Sequence, residues 1–207
     1  MKNKKIWKVL ILIILIVVMV FLIYFIYQKF QEYRFKKLLQ DNDAFNYELT
    51  EIVNGVETKV YVRDKVLFSE TGNSKVWMSE LESKRVIFDD TYKTAILDEN
   101  DENIKVNSLN NTYIHDYFEN SNQSFQYLGK ENGYYKIQFK EKGSNKMTLL
   151  YMNEKKNLIE KMFVNANNFE FVTEFKVEKN NVAKEEIAYP NLEGYRASDS
   201  VNSKPTE

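Results

Sequence analysis

ELTEIVNGVETKVYVR, residues 48–63, is the stretch that decides the fold. Apolar and polar side chains alternate on both sides of Asn54-Gly55, and a period of two is the signature of a strand with one buried face. Asn-Gly readily supplies the two positive φ angles of a type I′ turn, so Glu48–Val53 and Val56–Arg63 are predicted to form an antiparallel hairpin. Downstream, the short apolar pieces 66–68, 76–78, 86–88 and 95–97 are separated by Thr71-Gly72-Asn73, Glu82-Ser83 and Asp89-Asp90. They extend the hairpin into a meander.

From Asn107 the period changes. Leu109, Tyr113, Ile114, Tyr117 and Phe118 recur at helical spacing, with Asn107 as the cap, which predicts a short helix to about Asn120. Alternation then returns in Tyr135, Ile137 and Phe139, in Met147, Leu149 and Tyr151, and in Phe169, Phe171, Thr173, Phe175 and Val177. The expected fold is mainly β (α+β): a curved antiparallel sheet or incomplete β-barrel with one or two helices, over residues 44–196. Residues 197–207 are small, polar and unpatterned, and are expected to be a disordered tail.

Upstream, residues 9–27 read VLILIILIVVMVFLIYFIY, without a charge, amide, Gly or Pro. Such a helix is about 28 Å long, close to the hydrocarbon thickness of a bilayer. Trp7, Tyr24 and Tyr27 set aromatic rings at its ends. A cleaved signal would need a small residue after its apolar core, and no Ala, Gly or Ser occurs before Ala44. Residues 1–8 are therefore expected to be a cytoplasmic tail, 9–27 an uncleaved single-pass anchor and 28–43 a helical stalk. The short lysine-bearing N-terminus directs the remainder to the extracytoplasmic side of a cell membrane. The excess of Lys over Arg, with abundant Asn, is the composition of an AT-rich bacterial genome.

Beyond residue 39 the chain carries 21 basic and 29 acidic residues, a net charge of −8. That balance argues against nucleic acid as a partner. No Cys is present, which removes disulfides and thiolate metal sites. The single histidine, His115, leaves no His pair for a metal and makes Ser-His-Asp or Cys-His catalysis hard to assemble. Asp98 to Asn103 starts like a calcium loop, but Asn103 stands where Gly is needed and Leu109 where a bidentate Glu is needed. Neither a metal, a cofactor nor an enzymatic activity is expected. The informative feature is aromatic: 14 Phe, 14 Tyr and two Trp. A sheet covered by few helices has more apolar face than they can bury, and Trp77, Tyr151, Phe163, Phe171 and Phe175 are the candidate ligand-binding residues.

Two stretches, TKVYVRDKVLFSETGNSKVWM followed by SKRVIFDDTYKTAIL, resemble the early strands of the lipoprotein-carrier-like family, the LolA/LolB/RseB-like domains. NGYYKIQFKEKGSNKMTLLYMNEKKNLIEKMFVNANNFEFVTEFKV, with NNVAKEEIAYPNLEGYR, resembles the later strands, so that the likeness spans residues 45–196. It implies an incomplete barrel wrapping helices, with a concave side that takes acyl chains or a protein segment. The family's carriers are soluble shuttles, whereas an anchored chain favours a fixed receptor, chaperone or sensor. The expected function is thus a membrane-tethered module binding a lipid, lipoprotein or peptide. The alternative is a scaffold subunit of a cell-envelope machine that meets its neighbours through a flat patch.

Overall fold

A computed structural model describes residues 2–109, 117–118, 122–166 and 169–199. Six strands form a first meander: β1 (Tyr47–Val53), β2 (Val56–Arg63), β3 (Val66–Thr71), β4 (Ser74–Ser79), β5 (Lys84–Asp89) and β6 (Thr94–Glu99). Five form a second: β7 (Gln123–Glu131), β8 (Tyr134–Glu141), β9 (Met147–Asn153), β10 (Leu158–Ala166) and β11 (Phe169–Lys179). β11 pairs antiparallel with β1 from Tyr47↔Lys179 to Val53↔Thr173, and this seam makes one sheet of the two meanders. The order is β12-β6-β5-β4-β3-β2-β1-β11-β10-β9-β8-β7, an open, curved sheet that is antiparallel apart from β12 (Arg196–Asp199). At the first hairpin Asn54 and Gly55 take φ of 51° and 82°, as the Asn-Gly signal requires.

β12 runs parallel beside β6, in register from Arg196↔Thr94 to Asp199↔Leu97. Residues 197–199, which composition assigns to an unpatterned tail, are thus strand. Backbone hydrogen bonds to an open sheet edge need no apolar pattern in the side chains.

The N-terminal helix α1 (Lys2–Asp41) runs unbroken through both the apolar run and the segment expected as a stalk, since no Gly or Pro interrupts it. Its first half is long and apolar enough to cross a membrane, and its described side chains are exposed. Its second half packs on the sheet. Gln28, Gln31, Phe35 and Leu39 are buried at the i, i+3, i+7, i+11 spacing of one helix face. The Gln28 carboxamide meets the edge of β7, Phe35 packs on Phe125, Tyr127 and Tyr135 of β7 and β8, and the carbonyl of Asn42 accepts from Lys179 Nζ at the end of β11. The helix therefore crosses the strands from the β7 edge to the seam. The face that it crosses is the inner face.

Leu109, Tyr117 and Phe118 are helical, and the Tyr117 and Phe118 rings pack on Phe139 of the same inner face. Asn107 and Ser108 are not helical, so the helical conformation starts two residues after the expected cap, and residues 110–116 and 119–120, with Tyr113, Ile114 and His115, lie outside the described residues. These elements close the main core around Phe35, Leu39, Leu49, Val62, Ile137, Leu150 and Phe175. On the outer face of the first meander a smaller core of Trp77, Val86, Phe88 and Ala95 is covered by Leu192 and Tyr195 of the chain that leads into β12.

Removing the Phe35 ring leaves a cavity walled by three aromatic rings. Phe35→Ala is expected to lower the stability of the full chain in detergent by about 3–5 kcal/mol. Tyr33→Ala, on the 67 % exposed side of the same helix, should stay within about 0.5 kcal/mol of wild type in the same denaturant titration. Equal losses in the two variants would mean that α1 is not part of the domain's core.

Candidate binding face

Directly opposed residues of neighbouring strands share a face. On the inner face of the first meander the register aligns Leu49, Val60, Ser69, Val76, Ile87 and Ile96 in one row across β1 to β6. Leu49 is in the main core, but exposure rises along the row to 37 % at Ile87 and 44 % at Ile96. Five strand spacings make this strip about 24 Å long. On one side it is bordered by a polar row, Glu51, Thr58, Thr71, Ser74, Asp89 and Thr94, in which the Thr58 and Thr71 hydroxyls are hydrogen-bonded at 2.7 Å. On the other side lie Val62, Leu67 and Met78, ending in the Arg85–Asp98 ion pair. Asp98, the first residue of the calcium-like stretch, is thus turned onto Arg85.

The five residues expected to bind a ligand do not converge. Trp77 is 2 % exposed on the outer face, where its Nε1–H donates to the Ile187 carbonyl at 2.9 Å and its ring stands edge-on to Tyr189. Phe175 is 3 % exposed in the main core. Tyr151 and Phe163 pack edge-to-face at 5.4 Å on the outer face of the second meander, in a ladder that Tyr134 continues and over which Lys136 Nζ sits at 5.5 Å from the Tyr151 ring. Phe171, 44 % exposed, is on the inner face opposite Val164, beyond the end of β1. Buried Trp77 and Phe175 are structural, Tyr151 and Phe163 form an outer patch, and Phe171 alone is an exposed inner aromatic of the five.

Ile87 and Ile96 are aliphatic and stand outside the aromatic candidates. A signal for them exists in the sequence: Val86-Ile87-Phe88 and Ala95-Ile96-Leu97 are apolar on both faces of their strands, as are Val66-Leu67-Phe68 and Val76-Trp77-Met78. Val86, Phe88 and Ala95 are buried outward, which leaves the isoleucines facing inward.

Among known proteins, no family model matches the sequence, and no curated protein matches it. The fold is similar to that of a chain in a Pseudomonas aeruginosa MucA/MucB complex, with a TM-score of 0.43 and 8 % identity over 77 % of this chain and 61 % of that one. This chain thus spans about three fifths of the length of that neighbour.

Glu51 is the one carboxylate of the inner face that sits between core strands, opposite Phe175 and Thr58. Burial pushes its carboxyl above the ordinary carboxylate range. A carboxyl raised in the folded state binds protons more readily there than in the unfolded chain, so its contribution is favourable below the ordinary carboxylate pKa and is lost as pH rises through the folded value. Glu51→Gln should raise the melting temperature at neutral pH and flatten this part of the stability–pH profile. Glu48, likewise raised by burial and then by Glu178 and Glu186, should supply the slope that remains. An unchanged profile in the variant would show that Glu51 is not under desolvation strain.

Proposed function

We propose that the chain is a membrane-tethered binding module, anchored through residues 9–27 with its domain extracytoplasmic, whose inner strip receives an amphipathic polypeptide segment of a partner protein. The observation that carries this reading is the unequal covering of one sheet face. On the second meander that face is covered by α1, through a stripe of Gln28, Gln31, Phe35 and Leu39. On the first meander the Leu49–Ile96 row has the same crosswise direction, and Ile87 and Ile96 remain exposed. A helix laid there would repeat the packing that the fold already uses.

A polypeptide suits the strip better than an acyl chain. The row opens towards its Ile87–Ile96 end and is bordered on one side by hydroxyls, so an acyl chain there would keep much of its surface in water, whereas an amphipathic helix would bury its apolar stripe and leave its polar side free. The net charge of −8 beyond residue 39 selects partner segments with basic flanks. A scaffold role remains the second reading, and the specific feature that favours it is the outer Tyr134–Tyr151–Phe163 ladder, with Phe163 37 % exposed.

In nanodiscs, the full chain should bind a Leu/Lys amphipathic helical peptide more tightly than a fluorescent fatty acid. Ile96→Asp should weaken the peptide by at least tenfold, about 1.4 kcal/mol. Phe163→Asp, on the outer face, should leave it unchanged. Peptide binding lost only in Phe163→Asp would transfer the interface to the outer ladder, and binding of the fatty acid alone would replace the polypeptide with a lipid.

A further inference from the structure

Between α1 and β7 lies a cavity of about 340 Å³ that the binding reading does not use. Its apolar wall is Tyr24, Phe25 and Phe125, and its polar wall includes Lys29, Glu32 and Gln126. Position gives this lining its meaning. Tyr24 and Phe25 belong to the last turn of the apolar run 9–27, and Lys29 and Glu32 to the next two turns. With that run in a bilayer, the cavity opens at the level where acyl chains give way to head groups, and its polarity changes in the same order.

The donors fit a phosphate. Gln126 Nε2 donates to the Tyr24 hydroxyl oxygen at 3.1 Å, which leaves the hydroxyl hydrogen available to a further acceptor. Lys29 Nζ spends one of its three donors on Glu32 Oε2 at 2.7 Å. The Glu32 carboxylate would repel a purely anionic head group, but it complements one that carries its own cation. We propose that this notch holds one phospholipid with an amine-bearing head group, its phosphate on the Tyr24 hydroxyl and the Lys29 ammonium and its amine on Glu32. The assignment rests on the membrane-tethered reading above and gives the anchor a specific lipid at its exit.

The test uses the full chain in nanodiscs of phosphatidylethanolamine and phosphatidylglycerol. Because the chain has no Cys, a bimane label on Phe21→Cys reports the span alone, and it should be quenched by lipids spin-labelled in their tails. Native mass spectrometry of the released protein should show one retained phosphatidylethanolamine in preference to phosphatidylglycerol. The Tyr24→Phe/Lys29→Glu double variant should lower its occupancy at least tenfold, and Glu32→Gln should keep a lipid but lose the preference. A quenched Phe21 label with no retained lipid, or with a lipid indifferent to these substitutions, overturns the notch and leaves the anchor standing. An unquenched label overturns the anchor, and the notch with it.

Discussion

The carboxamide of Gln28 accepts from the Tyr127 N–H at 2.7 Å and donates to the Tyr127 carbonyl at 3.1 Å, and the placement of the helix on the sheet depends on this pair. β7 is an edge strand, and an edge presents backbone groups that must find partners or water. One side chain supplies both partners at one residue. The site is one position after the apolar run ends, so the same residue that closes the edge also fixes where the sheet begins relative to the span. Beside it, Leu128 is the extra residue of a bulge between Tyr127 and Gly129, which bends β7 next to the helix. Tyr27 stacks near Tyr127, and Arg34 reaches the Tyr135 hydroxyl, so the junction is secured by rings and hydrogen bonds over two helical turns.

From this junction follows the division of labour between the two meanders. α1 covers the inner face of the second and ends at the β1–β11 seam, where Asn42 meets Lys179. The first meander buries its opposite face instead, under the segment that holds Ile187, Leu192 and Tyr195. α1 closes the inner core over the second meander, Val106 and Leu109 join that core beside Leu67 and Met78 of the first, and the 187–195 segment closes the outer core. A main inner core and a smaller outer core result, and the Ile87–Ile96 end of the inner strip is left exposed.

The β character was legible because the turns announce themselves. Asn54-Gly55 and Asn132-Gly133 take the positive φ angles that their composition favours, and alternation in the strands between them assigns faces directly. Strand order was less legible. The β1–β11 pairing joins residues 120 to 132 positions apart, and no local pattern encodes it. The inward stripe of α1 escaped notice for a different reason: two of its four buried residues are Gln, so a search for apolar spacing over 28–39 sees Phe35 and Leu39 as scattered among charges. Buried glutamines are explained only once a sheet edge is placed beside them. The candidate site failed on Trp77 and Phe175 because a strand aromatic is core or surface according to what covers its face, and covering is a tertiary property.

The geometry also separates where lipid and polypeptide meet the protein. Because α1 crosses the strands from β7 towards the seam, strand order measures distance along the sheet from the end of the apolar run. The seam strand β1 stands five strand spacings from β7, about 24 Å along the sheet, and β6 stands ten, about 48 Å. The exposed end of the inner strip, at Ile87 and Ile96, is thus far along the sheet from the apolar run, whereas the notch at Tyr24 and Gln126 is beside that run. With that run in a bilayer, as proposed, a lipid reaching Ile96 would have to leave the bilayer and cross tens of ångströms of sheet. A polypeptide partner would then approach from the aqueous side without that desolvation problem, which would set the two proposed ligands at opposite ends of the sheet.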